Sequence, residues 1–244
     1  MVAEVKPFTK IAAVYDDLTV DVPYELWIEF LLRAAKERGL NGKQVLELGC
    51  GTGNATVLMH SRGFNVTGLD SSEDMLHFAR AKLPFIRFAR GYFESFVLKK
   101  RFSLVYSVFD SINNLLDVVA FRNMAQRVYV HLEPGGIFGF DMNTTIGLRE
   151  LWVDNRIEGS VRDIVYRFEH SFDEEKRLAR VDVLWETRGE KYSEVHYERG
   201  YDIVEVRKLL EAAGFNHVEV LEYPSGKPAA VDAPRVWVVA KKSV

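Results

Sequence analysis

The sequence predicts an α/β protein built on a mostly parallel sheet with helices on both faces. Three observations lead there. Residues 45 to 70 read as strand, glycine turn, helix, strand and acid. The stretch Val45-Leu46-Glu47-Leu48-Gly49-Cys50-Gly51-Thr52-Gly53-Asn54 is followed by a helical segment from Ala55 to Arg62, then by the apolar run Phe64 to Leu69, closed by Asp70. Strand-like and helix-like segments go on alternating to about residue 142, as in a parallel sheet covered on both faces. From Val161 to Tyr201 the pattern changes to three extended segments joined by short polar turns, as in an antiparallel meander.

The elements follow in order. Residues 1 to 22 carry aromatic and acidic residues without a period. A helix is expected from Pro23 to Arg38: Pro23 suits its first turn, Gly39 its end, and Leu26, Phe30, Leu31 and Ala34 share a face. Val45 to Leu48 and Phe64 to Leu69 are the first two strands. Ser71 to Lys82 is a helix that Ser71 or Ser72 can cap, with Glu73 and Asp74 complementing its positive end. Phe85 to Ala89 and Phe102 to Val108 are the third and fourth strands. A helix lies within Leu115 to Leu132, ended by Pro134-Gly135-Gly136, and Ile137 to Met142 is the fifth strand. The meander comprises Val161 to Phe172, Leu178 to Thr187 and Tyr192 to Tyr201. Asp202 opens another helix, with Glu205 completing a capping box and Gly214 ending it. Val218 to Tyr223 and Val236 to Ala240 are the last strands.

The bulk properties exclude several classes. The 244 residues suffice for one large domain or a domain with an insertion, and 48% hydrophobic with 27% charged residues allow an ample core. A net charge of -3, with no basic tail, gives no general attraction to nucleic acid. One cysteine excludes an internal disulfide framework and fits a reducing compartment. Lys6, Lys10, Asp16 and Asp17 interrupt any N-terminal signal core, and no apolar stretch reaches membrane-spanning length. The expectation is a cytoplasmic protein that engages no membrane.

The glycine spacing speaks to the ligand. A dinucleotide turn runs G-x-G-x-x-G, and counted from Gly49 its third glycine would fall on Asn54. The glycines here are Gly49, Gly51 and Gly53, preceded by Glu47. This resembles the E-x-G-x-G-x-G signature of class I, Rossmann-like S-adenosylmethionine-dependent methyltransferases. The resemblance runs from residue 45 to 142 and includes Gly68 to Leu76, Leu104 to Leu115, and Glu133-Pro134-Gly135-Gly136 before the fifth strand. It implies a seven-stranded sheet in the order 3-2-1-4-5-7-6, with a three-stranded antiparallel insertion after strand 5. It also implies S-adenosylmethionine as cofactor, S-adenosylhomocysteine as product, and no metal. In that reading Glu47, Gly49, Cys50, Gly51 and Gly53 form the turn against the cofactor. Asp70 accepts hydrogen bonds from the ribose hydroxyls, Ser71 follows it, and Met75 either contacts adenine or packs a helix face. Phe93 offers adenine a backbone N–H. Phe109, Asp110 and Ser111 pass the transfer centre. The sequence departs from the family at Tyr92, which stands where relatives carry the aspartate that holds the adenine amino group.

Two further stretches resemble a small-molecule subgroup. Ile11 to Leu18 with Val22 to Trp27 is similar to its Y-D-x-L…P-Y-x-x-W entry, and the meander is similar to the lid of amino-sugar N-methyltransferases. The implied division is a methyltransferase domain of residues 1–150 and 202–244, in which residues 1–40 form a helical cap, and a lid or substrate insertion of residues 151–201. Tyr15 and Trp27 would then lie by the cofactor, Tyr15 facing the sulfonium, unless both are core aromatics. Tyr15, His170 and His196 are the candidate catalytic groups, with Tyr197, Asp141 and Asn143 as further polar candidates. Both histidines have the alternative of being solvated strand residues. The acceptor is expected to be a small molecule taking the methyl at nitrogen or oxygen, and the protein a monomer or homodimer. A tRNA or protein methyltransferase of the same fold, and a noncatalytic S-adenosylmethionine-binding protein, remain alternatives. Phe109-Asp110-Ser111-Ile112 stands where an exocyclic-base enzyme would carry an Asn-Pro-Pro-Tyr-like motif.

Overall fold

A computed structural model describes residues 2–152 and 155–244. Its elements run in chain order as follows. A short strand β1 (Val2–Glu4) leads through a 3-10 turn (Lys10–Ala13) to α1 (Tyr15–Leu18) and α2 (Tyr24–Glu37). The alternating part comprises β2 (Gln44–Leu48), α3 (Asn54–Ser61), β3 (Asn65–Asp70), α4 (Glu73–Lys82), β4 (Arg87–Arg90), β5 (Phe102–Ser107), α5 (Val118–His131) and β6 (Leu132–Asn143). Then come α6 (Thr145–Trp152), β7 (Arg156–Val161), β8 (Ile164–Asp173), β9 (Leu178–Thr187) and β10 (Glu190–Arg199). The chain closes with α7 (Ile203–Ala212), β11 (His217–Leu221) and β12 (Arg235–Lys241).

Seven strands form the central sheet in the order β4-β3-β2-β5-β6-β12-β11. Numbered within that sheet, this is 3-2-1-4-5-7-6, as expected. The first five strands pair in parallel, and β12 runs antiparallel to both β6 and β11. All six residues of β5 are buried, as a central parallel strand requires. On one face α2 and α3 pack Leu31, Ala35 and Met59 against Val45, Leu104, Tyr106 and Trp237. On the other, α5 and α7 pack Phe121, Met124, Val206 and Leu210 against Leu46, Val105 and Phe138.

The insertion is larger than the sequence suggested. The three expected strands are β8, β9 and β10, and β7 adds a fourth antiparallel strand at the edge. Arg156–Val161 is mostly solvent-facing and has only Ile157 and Val161 as large apolar residues, with Gly159 between them, so its alternation is weak. At the opposite edge β1 pairs in parallel with β10, Val2 opposite Lys191. Helix α6 was also not expected; it docks Leu148 inward ahead of the insertion. The Pro134-Gly135-Gly136 turn lies inside β6, because Gly135 N–H and Gly136 C=O pair with the chain's last residues, Ser243 and Lys242. The expected capping box at α7 is absent: Asp202 is the N-cap residue without a side-chain cap bond. Its carboxylate pairs with Arg177 at 3.0 Å and that of Glu205 with Arg199 at 2.9 Å. Among the described residues no helix is long and apolar enough to cross a membrane.

Candidate active site

Strands β2, β3 and β5 end at the same edge of the sheet, and the loops that follow them frame a cleft. The turn after β2 places Gly49, Gly51 and Gly53 at φ of +72°, +51° and +89°. A Cβ on Gly49 would stand 2.9 Å from Ser111 Cβ and 3.1 Å from the Phe93 ring, so both conformation and space require glycine. The Cβ position of Gly51 is open, whereas that of Gly53 meets the Leu83 side chain at 2.9 Å. Gly51 therefore presents bare backbone to the cleft, and Gly53 faces packed side chains at the start of α3.

Asp70 ends β3 on the wall of the same cleft. Its Oδ2 accepts the Gly51 N–H at 2.8 Å and its Oδ1 the Ser72 N–H at 2.8 Å. Burial raises its pKa, opposed by these backbone donors. The cleft has a volume of about 310 Å³. Besides Gly49, Gly51 and Asp70, it is lined by Ser71 and Met75 at α4, by Tyr92, Phe93 and Glu94 after β4, and by Ser111 and Asn114 after β5. Phe8 and Tyr15 come in from the N-terminal segment. Met75 does two things: it faces the cleft and packs with Ile11, Ala12 and Val14. Tyr92 is 56% exposed, so its ring is rim rather than wall, while half-buried Glu94 brings a carboxylate to the same place.

Beneath the turn, Tyr15, Tyr24, Glu47, Cys50 and Phe109 surround a narrow pocket of about 30 Å³. Glu47 is 2% exposed; its Oε2 accepts Thr56 Oγ1–H at 2.5 Å and Tyr106 O–H at 2.7 Å. Burial pushes its pKa up to about 7 despite these donors. Cys50 is buried, its thiol pushed up by burial, which removes it as a nucleophile. The Tyr15 phenol is likewise held in its protonated form, first by burial and then by the neighbouring Tyr24.

Other candidates sit elsewhere. Phe109 and Asp110 hold consecutive left-handed φ values of +61° and +48°. Phe109 packs on Tyr24 and Trp27, at 5.9 and 5.8 Å between ring centroids. Trp27 lies under the Arg235 guanidinium, 4.8 Å from its ring centroid, and does not line the cleft. Its helix turns the indole toward β12. Asp110 also points away: Asn143 Nδ2 donates to it at 2.7 Å and Arg235 stands at 3.5 Å. Burial pushes the Asp110 carboxyl up to about 6. Asp141, 1% exposed, accepts Arg235 Nε–H at 3.0 Å and the Asp110 N–H at 3.2 Å, which makes Asp141 and Asn143 members of a buried polar cluster.

Neither histidine lines the cleft. His170 and His196 flank Val181 in one cross-strand row of the inserted antiparallel sheet. His170 is covered by Trp152, at 4.5 Å between centroids, and its Nδ1–H faces the Asn155 carbonyl at 2.9 Å. His196 stands behind Phe8, 4.4 Å from its ring, with Nε2 on Glu194 at 3.1 Å. Tyr197 is 41% exposed. Of the three candidate catalytic groups, the fold brings Tyr15 alone to the cleft. Sequence reasoning passed over Phe8 and Glu94. Asn114 fell within a motif it had singled out, Leu104 to Leu115, but was given no role.

A Rossmann-like sheet with this strand order, a glycine turn bound to the acid ending the next strand, and a second, antiparallel sheet inserted after β6 define a methyltransferase of the S-adenosylmethionine-dependent class. Known proteins agree. Residues 45–136 match the family model described as a methyltransferase domain. A protein of Geobacillus sp. (strain WCH70), named as a methyltransferase, is 30% identical over 241 residues, covering 93% of this chain and 96% of the relative. The dTDP-3-amino-3,4,6-trideoxy-alpha-D-glucopyranose N,N-dimethyltransferase of Streptomyces venezuelae is 30% identical over 209 residues, 82% of this chain and 86% of that one. An S-adenosylmethionine-dependent methyltransferase from Clostridium acetobutylicum ATCC 824 superposes with a TM-score of 0.85 at 25% identity, over 96% of this chain and 98% of that one. The chain belongs to the S-adenosylmethionine-dependent methyltransferases.

Proposed function

We propose that this protein transfers a methyl group to the nitrogen or oxygen of a small-molecule acceptor, and that the 310 Å³ cleft holds its cofactor. The observation that carries the reading is the Asp70 carboxylate, fixed at the end of β3 by Gly51 and Ser72 and facing the cleft beside the bare backbone of Gly51. Two anionic oxygens in that place suit a vicinal diol such as a ribose. Phe93 and Met75 supply apolar walls for a base, and Glu94 an acceptor for an amino group at its edge. Tyr15 presents an aromatic ring where a sulfonium would be attracted. When bound, S-adenosylmethionine supplies an already activated methyl group. The chain's own part is to hold, orient and shield, which can lower the barrier by roughly 7–11 kcal/mol. An amine acceptor is supported by the amino-sugar activity in the name of the Streptomyces venezuelae relative.

Calorimetric titration with S-adenosylhomocysteine and with NAD tests the reading. The expected result is binding of the first and none of the second, with D70A weakening S-adenosylhomocysteine at least ~100-fold, the worth of two charge-assisted hydrogen bonds. Binding of NAD alone, or unchanged affinity in D70A, would overturn it. Transfer of labelled methyl to a panel of amines and matched alcohols, with tRNA and protein alongside, then identifies the acceptor class.

A further inference from the structure

Glu194 is a carboxylate with 0% exposure in the middle of a lid strand. A buried charge of this kind costs several kcal/mol unless donors surround it. The donors come from the other end of the chain. Oε2 accepts the Phe8 N–H at 2.7 Å, and Oε1 accepts the N–H groups of Ile11 at 3.0 Å and Thr9 at 3.3 Å. His196 Nε2 stands at 3.1 Å from Oε2. Phe8 is held from its opposite side by the N-cap of α4: Ser72 Oγ–H donates to the Phe8 carbonyl at 2.5 Å, while the Ser72 N–H donates to Asp70 Oδ1 at the end of β3. One residue thus has its N–H bound to the lid and its C=O bound to the loop that carries Asp70. Phe8 adopts φ of +57°, a strained conformation for a phenylalanine, and its ring lines the cleft.

We propose that Glu194 is a positioning residue for the cofactor cleft, acting through Phe8, and that the Glu194–Phe8–Ser72–Asp70 chain couples the lid sheet to cofactor occupancy. The inference rests on the cofactor reading above. The Glu194 carboxylate orders residues 8 to 11, and through them sets Phe8 and Tyr15 over the cleft. A ligand on Asp70 tightens Ser72 and hence Phe8, so whatever closes the lid raises cofactor affinity and the cofactor in turn closes the lid.

The test is S-adenosylhomocysteine affinity in E194Q, S72A, S72T and the double variant E194Q/S72A, with amide hydrogen exchange over residues 5–18. Glutamine keeps the shape but turns an NH₂ toward backbone donors. E194Q and S72A are each expected to weaken binding roughly tenfold. S72T, which keeps the hydroxyl, is expected to restore it. The double variant should fall little below the weaker single one, because both act through Phe8. Saturating S-adenosylhomocysteine should protect residues 5–18 in the wild type and fail to do so in E194Q, while amides of β9 stay protected in both. Single variants within twofold of wild type, or losses that multiply in the double variant, would overturn the coupling. Should E194Q not fold, S72A, S72T and the exchange data decide. Loss of binding in D70A with unchanged binding in E194Q and S72A removes the coupling alone; unchanged binding in D70A removes the cofactor reading itself.

Discussion

Glu47 and Asp70 lie toward the same end of neighbouring parallel strands, yet their surroundings assign them different tasks. Asp70 faces the cleft and its donors are backbone N–H groups, which leaves it suited to a ligand's hydroxyls. Glu47 sits under the glycine turn and receives two side-chain hydroxyls. Both acids were legible from their spacing to the glycines. Their difference was not, because Thr56 and Tyr106 reach Glu47 from other elements. Burial raises the Glu47 pKa from 4.5 to about 7, so between those pH values the native state binds more protons than the unfolded chain. Stability is therefore expected to fall as pH rises from 4.5 to about 7 and to level off above, by up to about 3 kcal/mol for this group. Urea unfolding at pH 5, 6, 7 and 8 checks it: E47Q should lose most of that slope, and an unchanged slope would refute the buried-acid account. The two histidines show the converse limit. Strand alternation reveals which face His170 and His196 share, but not that Trp152 and Phe8 cover that face before the cleft is reached.

Helix ends follow local rules where the capping side chain has no stronger partner. Ser72 caps α4 through the Met75 N–H at 3.1 Å, as its sequence suggested. Asp117 caps α5 through the Ala120 N–H at 2.7 Å. D117A is expected to cost about 1 kcal/mol, read as a lower urea midpoint with an unchanged m-value. At α7 the rule gives way, because Arg177 and Arg199 take Asp202 and Glu205 from outside the helix. No local reading of residues 202 to 205 contains those arginines. Helix α6 was hidden for a related reason: it is short, and what holds it is contact with the loop before β12. A Cβ on Gly147 would stand 1.8 Å from the Pro234 carbonyl oxygen. G147A is accordingly expected to destabilise the protein by more than about 2 kcal/mol, at the upper end of the cost of overpacking, although alanine favours a helix. A thermal melt within 2 °C of wild type would show that the loop yields.

The central sheet was readable because strands such as β5 and β12 carry mostly apolar runs and the strand order follows from the family resemblance. The second sheet was readable only in part, since its core is assembled from distant pieces. Val181, Val183 and Trp185 of β9 pack with Ile11, Ala12 and Val14, and with Met75 of α4. Deleting residues 1–14 should consequently strip exchange protection from β9 while leaving β5 protected. Equal protection of β9 with and without the segment would show a second sheet that is stable by itself. The pairing of β1 with β10 also bears on synthesis. Val2 lies opposite Lys191, so its strand partner is made 189 residues later. At ribosomal rates that is a wait on the order of ten seconds or more. Through that interval Val2 to Glu4 have no strand to join, and the Glu194 carboxylate that accepts the Phe8 N–H does not yet exist. When residue 199 has been made, five of the seven strands of the central sheet exist; β11 and β12 follow, so β1 can join β10 before that sheet is complete. Residues 2 to 11 thus wait for a sheet made long after them, and their docking need not wait for the central sheet to be finished.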